Sequence, residues 1–352
     1  MKRTEPEDAP RDLVVLAPGL LGPVPLPAEQ VPTTPALSRL LSRGQRQDDD
    51  GADAAERRGL TQVLLQRFGA EASAPYARAA DDPDWDRSGY LLHADPVHLR
   101  ADRDQLRLFG ASHFALSVDE AEALVAALNR EFADDGLRLS APAPSRWYLQ
   151  PPAPPALETQ PLDQVDGCSI DSASPAGTDA KHWSGFLSEV QMALFQSPVN
   201  AERERRGQPA INALWLWGGG TWRPLEAPGF QRLVAGSALA QGLADAAGIT
   251  ASHAALSEEA AAADPRLAGS LVVFEGLRQA LQDADPLRWI EALRELEAGL
   301  DPALAALGRG RVGGIELDLT DGRRWRLERR DLRRFWRRRR TLTHWLDGLA
   351  SG

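Results

Sequence analysis

Three groups able to ligate a divalent cation fall within six residues in His93-Ala94-Asp95-Pro96-Val97-His98. Imidazoles flanking a carboxylate at that spacing would suit a small metal centre. The same segment also reads as a strand running into an Asp-Pro turn, with both imidazoles hydrogen-bonded or exposed. Spacing supplies no fourth ligand. His93, Asp95 and His98 are therefore kept as metal candidates only, and no metal or other cofactor is expected. A second chemistry lies at Gly218-Gly219-Gly220, which follow the apolar run Ala213–Trp217. Consecutive glycines leave no side chain between the backbone amides and whatever lies above them, so Gly218, Gly219 and Gly220 could cradle a small anion. The stretch lacks the Gly-Lys-Ser/Thr ending of a nucleotide loop and the spacing of a dinucleotide fingerprint. A tight, closely packed turn is the competing reading. Just upstream, Asn200, Arg203, Arg206 and Asn212 bring two amides and two cations that could join the glycines around a ligand.

Cys168 has no base placed beside it by spacing and reads as an inert thiol. The C-terminal end carries a denser signal. Between Arg323 and Arg340 there are eleven arginines against Glu328 and Asp331, with Trp325, Phe335 and Trp336 interleaved and Trp345 beyond. Such a stretch fits nucleic acid or acidic lipid. It also fits a helix that docks Leu332, Phe335 and Trp336 on a sheet and leaves its arginines solvated. Arg337–Arg340 are dense enough to keep an anionic partner open.

The elements that must position these groups are legible in part. Leu13-Val14-Val15-Leu16, Leu271-Val272-Val273-Phe274 and the run ending at Trp217 read as buried strands. A strand is expected at Tyr90–His93 and another at Arg146–Leu149. Thr34 followed by Pro35 predicts a capped helix start. Ser117 and Glu120 form a capping box ahead of the apolar face Ala121, Leu124, Val125, Leu128 and Phe132, and Gly136 closes that helix. Helices are expected over 56–68, 181–195, 230–247, 286–300 and 331–346. Residues 45–55 are acidic and polar and read as a mobile surface loop. Asp321-Gly322 predicts a hairpin between Ile315–Leu319 and Trp325–Leu327.

A chain of 352 residues can bury a large core in two domains. It has no apolar run of the ~20 residues that span a bilayer, and Met1–Arg11 lacks a signal peptide's apolar segment. One cysteine excludes an internal disulfide framework and a cysteine zinc site. A cytoplasmic protein is expected, with no membrane partner.

Ordered motifs add a resemblance. Thr34-Pro35-Ala36-Leu37 resembles the Thr-Pro-x-Leu segment of the alkaline phosphatase superfamily. Asn200, Arg203, Gly207, Pro209, Asn212 and Trp215-Leu216-Trp217-Gly218 resemble the archaeal-type, cofactor-independent phosphoglycerate mutases of that superfamily. Asp95-Pro96-Val97-His98-Leu99, Arg146-Trp147-Tyr148-Leu149 and Glu189-Val190-Gln191-Met192 resemble a bacterial offshoot, the RpfE-type regulatory proteins. The resemblance implies an α/β fold, alkaline phosphatase-like, whose mostly parallel sheet has helices on both faces and is interrupted by an inserted α+β domain. It implies residues 1–60 as the N-terminal part of the core with the acidic loop. Residues 61–208 become the insertion, with a Pro-rich segment at 151–161. Residues 209–352 complete the core and end in the Arg-rich helix.

Such mutases hold two divalent metals with aspartates and histidines and pass a phosphoryl group through a serine. Their first ligand is the aspartate of an Asp-Gly pair ending the first strand, where this chain has Pro18-Gly19. Past Gly220 the only histidines are His253 and His344, and Glu275 stands where the family carries a metal-binding aspartate. The expectation is therefore a fold kept with catalysis lost, no catalytic residue, and a regulatory role through a metabolite or protein partner. Two alternatives remain. One is an active mutase or phosphatase using His93, Asp95, His98 and Glu275. The other is a nucleic-acid-associated protein working through its arginines.

Overall fold

A computed structural model describes residues 11–24, 26–48, 59–102, 105–170, 175–253, 267–334 and 336–350. Contacts divide the chain into two compact units: residues 1–60, 227–237 and 247–352 form the first, and residues 61–226 with 238–246 the second. Among the described residues no helix is long and apolar enough to cross a membrane.

The first unit is built on a seven-stranded sheet in the order Gln45–Asp48, Arg323–Glu328, Gly314–Asp318, Leu13–Leu16, Ser270–Val273, Arg232–Val234, Thr250–Ser252. The last five run parallel, and the first two add an antiparallel margin. Leu13–Leu16 is central, with Leu13 opposite Ser270 on one side and Ile315 on the other. Its residues are short and apolar because both faces are covered. The long helix Pro286–Arg309 packs Trp289, Leu293, Leu296, Leu300, Leu304 and Leu307 into this core. Pro302 sits inside it, where a sequence reading stops the helix at Leu300. An interior proline costs ~3 kcal/mol. Leu304 at 3% and Leu307 at 0% exposure each recover ~2 kcal/mol by burial, so the helix continues.

Helix Pro35–Arg43 begins with its proline as expected, but the Thr34 side chain does not cap it. The orphan amides of Ala36 and Leu37 donate instead to the Glu297 carboxylate, at 2.5 and 3.0 Å. Two further expectations are corrected here. Gln45–Asp48 is a strand paired with Arg323–Arg326, because the antiparallel margin supplies backbone partners that spacing does not reveal; the rest of the predicted acidic loop, 49–55, lies outside the described residues. The region 230–247 is the strand Arg232–Val234 followed by helix Ala238–Ala246.

The second unit carries a five-stranded sheet. Its spine is Tyr90–Asp102, thirteen residues long. Ala213–Thr221 pairs with it from Tyr90 to Val97, Arg146–Gln150 at Leu92 and His93, and Gln105–Phe109 from His98 to Asp102. The strand Arg138–Ala143 pairs beyond Arg146–Gln150. All pairings are antiparallel. Ala213–Thr221 is thus a strand of the second unit and not of the parallel sheet, whereas the sequence reading opened the C-terminal core at residue 209.

Alternation sorts the spine's side chains. Leu92 and Ala94 face a core with Leu124, Leu128, Phe132, Trp183, Phe186 and Val190, supplied by helices Val118–Glu131 and Ala180–Phe195. Helix Val118–Glu131 has the predicted capping box at Ser117 and Glu120, and a left-handed Gly136 follows it. Leu91 and Val97 face the other side, in clusters that include Tyr148 and Ala77, and Trp215 and Trp217.

Candidate functional site

The residues singled out upstream of the glycines fold into one block, and most of their polar groups are spent on backbone. The Asn200 amide donates to Leu194 O and Ile211 O and accepts from Ile211 N, all at 2.8 Å. It thereby closes one helix end and pairs with Ile211 like a strand neighbour. Asn212 does the same for Leu99, accepting its N–H at 2.7 Å and donating to its carbonyl at 2.8 Å. Arg203 is fully buried; Nε donates to Pro209 O at 2.9 Å, Nη1 to Glu120 at 3.0 Å, and its guanidinium lies 5.7 Å from the Phe114 ring centroid. Arg206 is exposed and pairs with Glu202 at 2.6 Å.

Gly218–Gly220 lie in the strand, and their lost side chains are filled by neighbours. A Cβ on Gly218, whose φ is +62°, would stand 2.0 Å from Ser73 Oγ; on Gly219 it would stand 2.4 Å from Tyr90 Oη, and on Gly220 2.3 Å from Ala72 Cβ. Close backbone approach accounts for all three glycines. Trp215 Nε1 donates to Gln160 O and Trp217 Nε1 to Asp95.

The metal candidates do not converge. His93 and Asp95 are two residues apart on one face of the spine, while His98, five residues from His93, falls on the other and bonds Ala210 O at 2.8 Å through Nδ1. Among the described residues no three His, Cys, Asp or Glu side chains form a group able to hold a metal ion.

His93 and Asp95 instead belong to a buried polar cluster. The His93 ring stacks on Trp217 with centroids 4.0 Å apart and lies 5.2 Å from the Tyr148 ring. Neither ring nitrogen of His93 has a hydrogen-bond partner. Burial, with Arg146 adding to it, pushes its pKa down to about 3. Asp95 accepts Trp217 Nε1–H at 2.7 Å and Trp147 N–H at 3.3 Å. Burial outweighs these bonds and raises its pKa to about 7. Arg146 grips Asp81 through two nitrogens at 2.6 and 2.9 Å, and Tyr148 Oη donates to the same carboxylate at 2.6 Å. Asp81 is 65 residues from Arg146, so no spacing signal could have joined them.

In open α/β sheets, ligands settle outside the carboxyl ends of the strands. In the first unit that margin starts at Ala17-Pro18-Gly19 after the central strand. Gly19 has φ +83°, and a Cβ there would meet the Arg278 backbone at 2.9 Å, so the loop lies directly against the start of helix Gly276–Gln282. On the neighbouring strand Glu275 follows Val273 by two residues; on the next, Ser237 follows Val234 by three. Glu275 Oε1, Ser237 Oγ and Arg278 Nε are buried atoms without a hydrogen-bond partner. On the opposite side of the central strand, Asp318 is 4% exposed and its Oδ1 accepts Thr320 N–H at 2.8 Å.

Comparison with known proteins bears on the fold. No protein-family model matches the chain. A stretch of 140 residues, 38% of this chain, is 25% identical to a 2,3-bisphosphoglycerate-independent phosphoglycerate mutase of Methanosarcina barkeri. The chain is a distant homologue of the archaeal-type mutases. The match spans 35% of that enzyme's length. Among solved structures, the PH0037 protein of Pyrococcus horikoshii aligns over 91% of this chain and 87% of its own, with a TM-score of 0.53 and 16% identity. A cofactor-independent phosphoglycerate mutase from Thermoplasma acidophilum aligns over 91% of this chain and 90% of its own at 15% identity, with a TM-score of 0.40. The fold is thus alkaline phosphatase-like, a mostly parallel sheet joined to an antiparallel one.

Proposed function

We propose that this chain is a catalytically degenerate relative of the mutases that acts by binding, in the manner of the RpfE-type regulatory proteins its sequence resembles. The observation that carries the reading is the donor set at the parallel sheet's carboxyl margin. The central strand delivers Pro18, which has no ligating side chain, where the resemblance expects an aspartate. Glu275 and Asp318 flank it from separate strands, and one Asp318 oxygen already holds Thr320 N–H. A pair of divalent ions needs about four or more donors each. Pro18, Glu275 and Asp318 do not fit such a pair.

What the margin offers is a carboxylate oxygen, a hydroxyl and a guanidinium N–H, all buried and unpartnered. That set suits a small metabolite carrying both a hydroxyl and an anionic group. Glu275 accepts from the hydroxyl, Arg278 donates to the anion, and Ser237 can do either. A cytoplasmic site of action fits such a ligand.

The test has two arms on the purified full chain. Manganese titration beside an assay of 3-phosphoglycerate conversion is expected to give no metal-dependent turnover; turnover abolished by E275Q would make the protein an enzyme. A thermal-shift screen of phosphorylated and hydroxylated three- to six-carbon acids is expected to yield a ligand whose effect disappears in S237A and E275Q. A ligand insensitive to both substitutions would place binding elsewhere.

A further inference from the structure

The arginines of the C-terminal stretch do not form the amphipathic helix that would dock and solvate them. Arg329–Arg333 is a single 3-10 turn, residues 337–341 have no regular structure, and helix Leu342–Ala350 starts only afterwards. The segment is tied instead to the end of helix Pro35–Arg43. Arg337 Nη1 donates to Gly44 O at 3.0 Å, and Arg340 N donates to Ser42 Oγ at 2.9 Å. Arg43 Nη1 donates to Leu332 O.

This anchoring gathers cations from distant parts of the chain onto one face. The Arg43 guanidinium is held below its usual pKa by burial and by the like charges of Arg39 and Arg339 beside it. Arg46 extends the same edge, its guanidinium 5.5 Å from the Trp325 ring centroid, and Arg340 lies 6.0 Å from that of Trp345. The described carboxylates of the stretch are engaged by other arginines. Asp331 pairs with Arg334, Glu328 with Arg326 and Arg330, and Asp321 with Arg323. Arg337–Arg340 are all exposed. Next to them Trp336 is 67% exposed, an unusual setting for the largest apolar side chain.

We propose that this face binds single-stranded nucleic acid, with Arg337–Arg340 along the phosphates and Trp336 under a base. Guanidinium forks match phosphate oxygens in pairs. An exposed indole beside them supplies a stacking platform for the open base faces of a single strand, faces that a duplex keeps inside its own stack. A membrane surface fits less well, because Trp336 is the one large apolar side chain exposed among the described residues of this face, and interfacial anchoring takes a broad apolar strip. The formal charge of −10 on the whole chain does not oppose local binding, since charges beyond ~8 Å are screened at physiological salt.

The test is fluorescence anisotropy of a labelled twelve-nucleotide oligo(dT) with the full chain, beside a duplex of the same length and phosphatidylserine vesicles. With about four phosphates neutralised, affinity should fall about 50-fold between about 50 and 200 mM salt, a log–log slope near −2.8. R338S/R339S, which removes two exposed cations without touching the anchoring bonds, should weaken binding and reduce that slope by about 1.4, with R338K/R339K restoring it. W336A should weaken oligo(dT) binding about 5-fold or more at every salt concentration. No binding at about 50 mM salt would overturn the proposal. So would binding indifferent to R338S/R339S, indifference to W336A, a preference for duplex, or capture of vesicles without the oligonucleotide.

Discussion

Replacing Asp95 by asparagine isolates the energetic cost of one buried carboxyl group. Its pKa in the fold is about 7, against an ordinary 3.8. Below the ordinary value the group is protonated in folded and unfolded chains alike and makes no difference. As pH climbs from about 4 toward 7 the unfolded chain ionises while the folded one resists, so stability falls; above about 7 the loss is complete. A rise of about three pH units at ~1.36 kcal/mol each sets that loss at ~4 kcal/mol. His93 works in the opposite direction. With its pKa at about 3 against 6.5, its contribution is full above 6.5 and is lost as pH falls toward 3. Between about 4 and 6.5 the two slopes oppose each other, and this pair leaves the wild-type profile nearly level.

The amide of the D95N variant has no such slope and weakens the bonds from Trp217 and Trp147, a cost of ~1 kcal/mol. D95N should therefore be less stable than wild type by ~1 kcal/mol at about pH 4 and more stable by ~3 kcal/mol at about pH 8. Urea denaturation followed by near-UV circular dichroism, at unit steps of pH between those limits, reads the difference directly. Groups common to both proteins cancel in it. A difference that stays constant across the range, or that grows in favour of wild type as pH rises, would refute the reasoning.

Three further substitutions probe the scaffold. E297A strips the two orphan amides of helix Pro35–Arg43 of their acceptor and should cost ~1–2 kcal/mol in denaturant unfolding, with E297Q recovering part. G219A drives a methyl group to 2.4 Å from Tyr90 Oη and 2.7 Å from Leu92 Cδ2 and should cost ~1–3 kcal/mol; an unchanged melting temperature would show that the strand has room. R203M removes the buried guanidinium that serves Glu120 and Pro209 O and should cost ~1–3 kcal/mol, a loss visible as early hydrogen exchange in helix Val118–Glu131.

The sequence is most legible where one local rule decides the outcome. The strand Leu13–Leu16, the capping box at Ser117 and the Asp321-Gly322 hairpin are each set by a few adjacent residues and appear as expected. Pattern reading fails where a distant group decides. Thr34 reads as a helix cap, yet Glu297 takes the role from more than 250 residues away. Gln45–Asp48 reads as loop because its alternation is polar, and only the Arg323–Glu328 edge makes it a strand. Ala213–Trp217 is apolar on both faces, which fits a parallel core strand as well as its actual place beside Tyr90–Asp102. The site is less legible than the fold. Asparagines and arginines ahead of a glycine run look alike whether they hold a ligand or a backbone, and here each amide has a mate in the chain itself. The unpartnered trio Ser237, Glu275 and Arg278 had only Glu275 to announce it.

Helix Ala238–Ala246 belongs to the second unit although the chain on either side of it belongs to the first. A Cβ on its Gly242 would stand 1.8 Å from the Tyr76 carbonyl oxygen, so its seat against helix Ala74–Asp81 is fixed at backbone level. A cut at residues 61 and 226 would leave that seat empty on one fragment and a stray helix on the other. The second unit is stitched into its host and is no removable cassette. A deletion long enough to take the whole unit, residues 61–246, would also take the strand Arg232–Val234 out of the parallel sheet.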